Sequence, residues 1–253
     1  MAINLKKGQS VNLDTNQFDL SEITIGLGWD VLEEDKNHKN LNKSEKGFSK
    51  LKSLIGLGKV LNNSKYLYSS NRNKTSKITE EIKPYDLDCI AFLLGDNNKI
   101  QNLGRRGSLE SGLTVDFIDS DIIFYNNPKH IEGTVIHTGD NRTGEGEGDD
   151  ERIIVKLNNL NPKYNKIVFF ATIYQGERKR QHFGLIKNAF IRAVDAQGQE
   201  IVKYDLSIEK TFDKKCSLIF AEVTRINSIQ WEFQAIGDAL ETDRFGEVLK
   251  NYM

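Results

Sequence analysis

The chain has 253 residues, 38% of them hydrophobic and 28% charged, which suits one large or two small domains with a real core. Its formal net charge of -1 gives no overall attraction to nucleic acid or to an anionic membrane, so any charge-driven function has to come from local asymmetry. No apolar run approaches the roughly 20 residues that span a bilayer. The start, MAINLKKGQSVNLD, lacks the apolar stretch of about 7–15 residues found in a secretion signal.

Alternation with period two marks the first strand, EITIGLGW (22–29). Residues 33–83 break that rhythm: they are rich in Lys, Asn and Ser, with twelve Lys/Arg against six Asp/Glu. Within them FSKLKSLIGLGKVL (48–61) sets Phe48, Leu51, Leu54, Ile55, Val60 and Leu61 near helical spacing with lysines between. Such a basic amphipathic helix would suit a membrane surface or a partner. Packing against its own domain, or staying mobile, accounts for the same residues, and Gly56 and Gly58 each weaken a helix by about 1 kcal/mol.

Strand patterns resume at DLDCIAFLL (86–94), GTVIHT (133–138), RIIVKL (152–157) and KIVFFATIY (166–174). They continue through GLIKNAFIRAVD (184–195), EIVKYDLS (200–207), KCSLIFAEVTR (215–225) and IQWEFQAIG (229–237). Turn residues separate them, as in GDNN (95–98), NNPKH (126–130) and DAQGQE (195–200). LGRRGSLESG (103–112) reads as a loop before a strand; Arg105 and Arg106 there could meet an anion or lie in a solvated turn. Cys89 and Cys216 sit in alternating apolar surroundings and are expected as buried, reduced thiols. The end, DALETDRFGEVLKNYM, puts Leu240, Phe245, Val248 and Leu249 on one face of a terminal helix. Many short strands with close turns, and no long helices alternating with them, predict a mainly β fold. That fold is an antiparallel β-sandwich with a short C-terminal helix and a Lys/Asn-rich, partly helical insertion.

One loop departs from the balanced charge. Between Asp140 and Glu151 six carboxylates (Asp140, Glu145, Glu147, Asp149, Asp150 and Glu151) face one base, Arg142, and Gly144, Gly146 and Gly148 alternate with the acids. Carboxylates packed this closely raise one another's pKa unless a positive charge sits among them. The loop is therefore either splayed into water or built to hold a cation. A hard ion such as calcium takes about six to eight oxygens from carboxylates, amides, backbone carbonyls and water. Asp140, Asn141, Glu145, Glu147, Asp149, Asp150 and Glu151 offer side-chain oxygens, and glycines such as Gly144 let carbonyls turn inward. No thiolate is present and His137 alone cannot build a zinc site. Magnesium prefers few protein ligands and many waters, so calcium matches better. The spacing is not that of an EF-hand. A second acidic element, Asp86 and Asp88, would project to one face of a strand, and Asp30 closes GWD at the end of another. If these strand ends meet the loop at one edge of the sandwich, they form a shared acidic basin.

LGWD, DLDCIAFLL, VDFIDSDIIFYNNPKH, GTVIHTGDNRTGEGEGDDERIIVKLNNL and FGLIKNAFIRAVD resemble the TerD-like tellurium-resistance and general stress proteins. The resemblance covers nearly the whole chain outside 33–83. It implies a calcium-binding β-sandwich holding more than one ion, cytoplasmic, in a stress-response system with a membrane-embedded partner. On it, the calcium ligands correspond to Asp86, Asp88 and the 140–151 loop, with Asp30 added. Two departures stand out: the insertion of about fifty residues between GWD and DLD, and Glu147 where an Asp is common.

Reduction of an oxyanion requires a reactive dithiol, flavin, haem or nicotinamide. The chain has no CxxC and no glycine fingerprint between a strand and a helix. The leading expectation is thus a non-enzymatic calcium-binding module whose occupancy orders an acidic loop face for assembly with partners, at the inner face of the membrane. The alternative is a metal-dependent hydrolase, or a small-anion or nucleotide-binding protein, using the same basin. No nucleic-acid partner is expected.

Overall fold

The computed structural model of the protein describes residues 2–30, 85–109, 112–115, 117–144, 148–206 and 210–253. The inserted stretch with its 48–61 amphipathic segment, and the loop acids Glu145 and Glu147, lie outside the described residues.

In chain order the strands are β1 (Ile3–Asn4), β2 (Ser10–Leu13), β3 (Ile23–Asp30), β4 (Leu87–Leu94), β5 (Arg106–Leu109) and β6 (Gly112–Val115). They continue as β7 (Ile122–Ile123), β8 (Val135–His137), β9 (Glu151–Val155), β10 (Lys166–Ile173) and β11 (Lys187–Asp195). β12 (Glu200–Asp205), β13 (Ser217–Arg225) and β14 (Trp231–Leu240) complete them, with two short helices, α1 (Gly176–Lys179) and α2 (Phe245–Leu249). One six-stranded sheet has the order β1-β12-β11-β3-β9-β8 and the other β2-β14-β13-β10-β4-β7; β5 and β6 form a separate hairpin. Among the described strands every pairing is antiparallel except that of β1 with β12. The fold is the expected antiparallel sandwich.

The alternation in β3 buries Ile23, Ile25, Leu27 and Trp29 between the sheets and leaves Gly26 and Gly28 on the other face. Strand β9 follows suit, burying Glu151, Ile153 and Val155 while Arg152 is exposed. Strand β4 differs, because all eight of its residues are buried. Its second face is covered as well: Ile90, Phe92 and Leu94 join Val168 and Phe170 of β10, Phe124, and Val248 and Leu249 of α2 in one apolar cluster. Phe92 and Phe170 have ring centroids 4.7 Å apart. Each such ring taken out of water contributes about 1.5–3 kcal/mol, so the C-terminal segment works as a third layer over the second sheet.

Two local expectations are corrected. The terminal helix is only Phe245–Leu249, and Leu240 instead ends β14, since pairing with β13 extends that strand through Ser217 and Leu240. The 103–112 stretch is not merely a loop before a strand: residues 106–109 pair with 112–115 as a hairpin. Arg105 just ahead of it is tied to Asp119 at 2.6 Å. Both cysteines are free and buried. Among the described residues no helix is long and apolar enough to cross a membrane.

Candidate metal centre

The loop from Thr138 to Asp150 joins the neighbouring strands β8 and β9. It comes back to the start of β4, and there carboxylate oxygens of Asp86, Asp88 and Asp140 lie within 4.8 Å of one another. Asp88 shares its face of β4 with Ile90, Phe92 and Leu94 by the two-residue period, and it pairs across to Thr172 of β10. Asp86 sits just before β4, where its carbonyl accepts from Tyr174 N at 2.8 Å. Asp86, Asp88 and Asp140 line a cavity of about 130 Å³ together with Tyr125, Arg142 and Tyr174. Arg142 reaches Asp140 at 3.0 Å, yet its side chain is 77% exposed, so this contact is screened.

The charge in this cavity is poorly compensated. Burial, and then the charges of Glu151, Asp86 and Asp140, push the Asp88 carboxyl up to about 8. Asp86 is raised as well, chiefly by burial, with Lys179 pulling the other way. Behind Asp88, Glu151 is almost fully buried. Its Oε2 accepts from Cys89 N at 2.6 Å and lies 3.4 Å from His137 Nε2. Burial raises the Glu151 pKa, opposed by the His137 and Cys89 contacts. Its other oxygen, Oε1, is buried with no hydrogen-bond partner among the described residues. The Asn141 backbone also lies close enough to lower the Glu151 pKa, so burial of this carboxylate is partly compensated.

Among the described residues, the other two loop acids, Asp149 and Asp150, have other partners. Asp150 accepts from Trp29 N at 2.9 Å and from Asn141 Nδ2 at 2.8 Å. Asn141 Oδ1 in turn receives Thr143 N and Gly144 N at 3.1 and 3.2 Å. Gly144 adopts φ +63, and a Cβ there would stand 2.3 Å from the Trp29 indole nitrogen; only glycine fits this approach. Asp149 turns to the opposite side, where Arg192 grips it through Nε at 2.7 Å and Nη2 at 3.1 Å. Thus Asn141, Gly144 and Asp150 shape the loop, and Asp149 pins it to β11. Asp30 ends β3 opposite Lys187.

Of the residues singled out by composition and resemblance, then, the structure brings together Asp86, Asp88 and Asp140, with Glu151 behind them. It gives Asp149 a different partner. Sequence reasoning missed Tyr125, Tyr174, Trp29 and Arg192. The one local signal for this docking was GLG at 26–28, since glycine at alternate strand positions marks a close approach of other chain. The three-carboxylate set is all oxygen, so its chemistry is that of a hard divalent cation. Two ligand oxygens across a calcium ion, at about 2.4 Å each, are at most about 5 Å apart, and 4.8 Å falls within that span.

Comparison with known proteins agrees with this architecture. The TerD domain profile matches residues 1–105 and 114–252. The chain is 43% identical over 253 residues to the tellurium resistance protein TerX of Serratia marcescens, covering 100% of both. It is 33% identical over 254 residues to the stress response protein SCP2 of Bacillus subtilis (strain 168), again over 100% of both. Its fold is similar to the crystal structure of a homologue of the telluride resistance protein TerD from Streptomyces coelicolor A3(2). That likeness has a TM-score of 0.52 at 15% identity and covers 92% of this chain and 98% of the other. The chain belongs to the TerD family of tellurium-resistance and stress proteins.

Proposed function

We propose that the protein is a non-enzymatic calcium-binding member of this family, and that ion occupancy organises its acidic loop face for assembly with other proteins of a stress-resistance system. The observation that carries the reading is the convergence of Asp86, Asp88 and Asp140 oxygens within 4.8 Å. In the absence of an ion, burial and mutual repulsion oppose ionisation of Asp88. Calcium would supply the missing positive charge, held by those three carboxylates with Glu151 as a reserve ligand behind them. The chain's own residues do the rest: Asn141 and Asp150 set the path of the loop, and Tyr125 and Tyr174 wall the cavity. A cytoplasmic location, with recruitment to the inner face of the membrane through a membrane-embedded partner, belongs to the same proposal. It draws on relatives named as resistance and stress proteins.

The test is calorimetric titration of chelator-treated, dialysed protein with calcium and with magnesium, beside thermal melts. Calcium is expected to bind more tightly and to raise the melting temperature; at 100 times its dissociation constant it adds about 2.7 kcal/mol. Asp88→Asn should weaken calcium binding at least about tenfold, because it removes one of three anionic donors. Asp213→Asn, in an exposed position, should not. Absence of calcium heat together with identical melts in chelator would sink the reading.

A further inference from the structure

A second cavity, of about 670 Å³, has a lining of mixed charge. Glu177, Arg180, His182, Lys214 and Glu241 are among its lining residues, and it lies between the β10–β11 connection, the approach to β13 and the exit from β14. Each of its two acids has a partner elsewhere, a backbone donor for one and a lysine for the other. Glu177 Oε1 receives Asp243 N at 3.2 Å, and Glu241 Oε1 meets Lys215 Nζ at 3.2 Å. Its two cations differ: among the described residues the side chains of Arg180 and Lys214 have no ion-pair or hydrogen-bond partner. His182 adds an imidazole whose Nδ1 is buried without a hydrogen-bond partner. It stands 3.6 Å from Asp213 Oδ1, too far to be satisfied there.

The backbone holds these cations in place at a cost. Arg180 and Lys214 adopt φ 57 and φ 59, the left-handed region that strains residues bearing a Cβ. Arg180 caps the C-terminal end of helix α1 in this left-handed conformation, a place where glycine is usual. Strained conformations persist where the surroundings over-determine them, and they concentrate at ligand clamps.

We propose that this cavity binds a small doubly charged oxyanion, with Arg180 and Lys214 as its counter-charges and His182 as a further polar contact. The planar guanidinium can take two oxygens in parallel, and the lysine acts as a point charge on a third. The site shares no lining residue with the acidic cavity, so the inference does not depend on the cation reading.

The experiment uses the full chain, freed of metal and then dialysed free of chelator, which is itself a polyanion. Inorganic phosphate is titrated by calorimetry and by backbone amide shifts, with chloride at matched ionic strength as the blank. Saturable binding is expected, with shifts centred on 176–182 and 214–216. The double variant Arg180→Asn, Lys214→Asn keeps residues that tolerate positive φ and removes both charges; it should bind phosphate at least tenfold more weakly. Lys163→Asn, a residue paired with Glu132, should leave the affinity unchanged. Equal affinity in the double variant overturns the proposal, as do shifts centred elsewhere or the absence of saturable binding by the native chain.

Discussion

Gly26→Ala is a small change with a calculable consequence. An added Cβ would lie 2.3 Å from Asp149 Cγ and 2.4 and 2.5 Å from its two carboxylate oxygens, so one group has to move. Asp149 cannot retreat and keep both hydrogen bonds to Arg192, which also holds Glu200 at 3.1 Å. The Asp149 side chain is 6% exposed and that of Arg192 30%. Breaking a fully buried pair costs about 3–5 kcal/mol; with Arg192 partly in water, about 2 kcal/mol is a fair figure. For a chain of this size that lowers the melting temperature by about 4–8 °C. Alanine is otherwise slightly better than glycine in a strand, so the sign is diagnostic. Melts of Gly26→Ala in the native and in the Asp149→Ala background form a double-mutant cycle. The alanine should be costly in the first and nearly neutral in the second. A Gly26→Ala protein that melts at or above the native temperature, or equal costs in both backgrounds, would refute the reasoning.

Two other outcomes follow from the same geometry. Asp149→Asn should lower the melting temperature by weakening the Arg192 grip while changing calcium affinity less than Asp88→Asn does; parallel melts and titrations separate the two effects. The metal-free protein should also lose stability as pH rises. The folded Asp88 value of about 8 lies above its ordinary 3.8, so the folded chain keeps a proton that the unfolded chain has released. The Asp88 contribution to stability is therefore full below about pH 4 and falls, by about 1.4 kcal/mol per pH unit for one proton, until pH passes about 8. Denaturant melts across that range check the slope, and Asp88→Asn should flatten it; a flat native profile would contradict the crowded, cation-free cluster.

The sandwich was legible because two-residue alternation is a direct imprint of a face that is buried and a face that is not. That held for β3, β9 and β14. Strand β4 reads LDCIAFLL with little polar interruption, and the structure explains this by its second apolar face under α2. The length of the C-terminal helix was not legible, since Leu240 fits a helical face and a strand equally well. The acidic loop drew attention through composition, which counts carboxylates but says nothing of direction. Asp149 and Asp150 are adjacent, yet one is bound by Arg192 from β11 and the other by Trp29 from β3. Only long-range register decides that. The 106–115 hairpin was missed because the arginines and glycines of the 103–112 stretch look like turn chemistry throughout.

Like charges do not stay within a few ångströms of one another without being held, and the two sides of the acidic cavity are held differently. Asp88 belongs to a strand paired on both edges, with β10 and β7, so it cannot swing away from the charge of Asp86 or Glu151. Asp140 belongs to a loop with no ladder of its own. Its position is fixed at one remove, by the next residue: Asn141 ties itself to Asp150, Asp150 to the backbone of Trp29, and Asp149 to Arg192. Each tie uses a loop acid or amide that composition alone would have assigned to an ion. The division has a physical logic, because a ligand group delivers most when the ordering of its chain is already complete before binding. Among the described residues, some of the loop's negative charge is thus used internally, on Arg192 and on backbone donors, and the carboxylates facing the cavity are ones that the strands and these ties hold together.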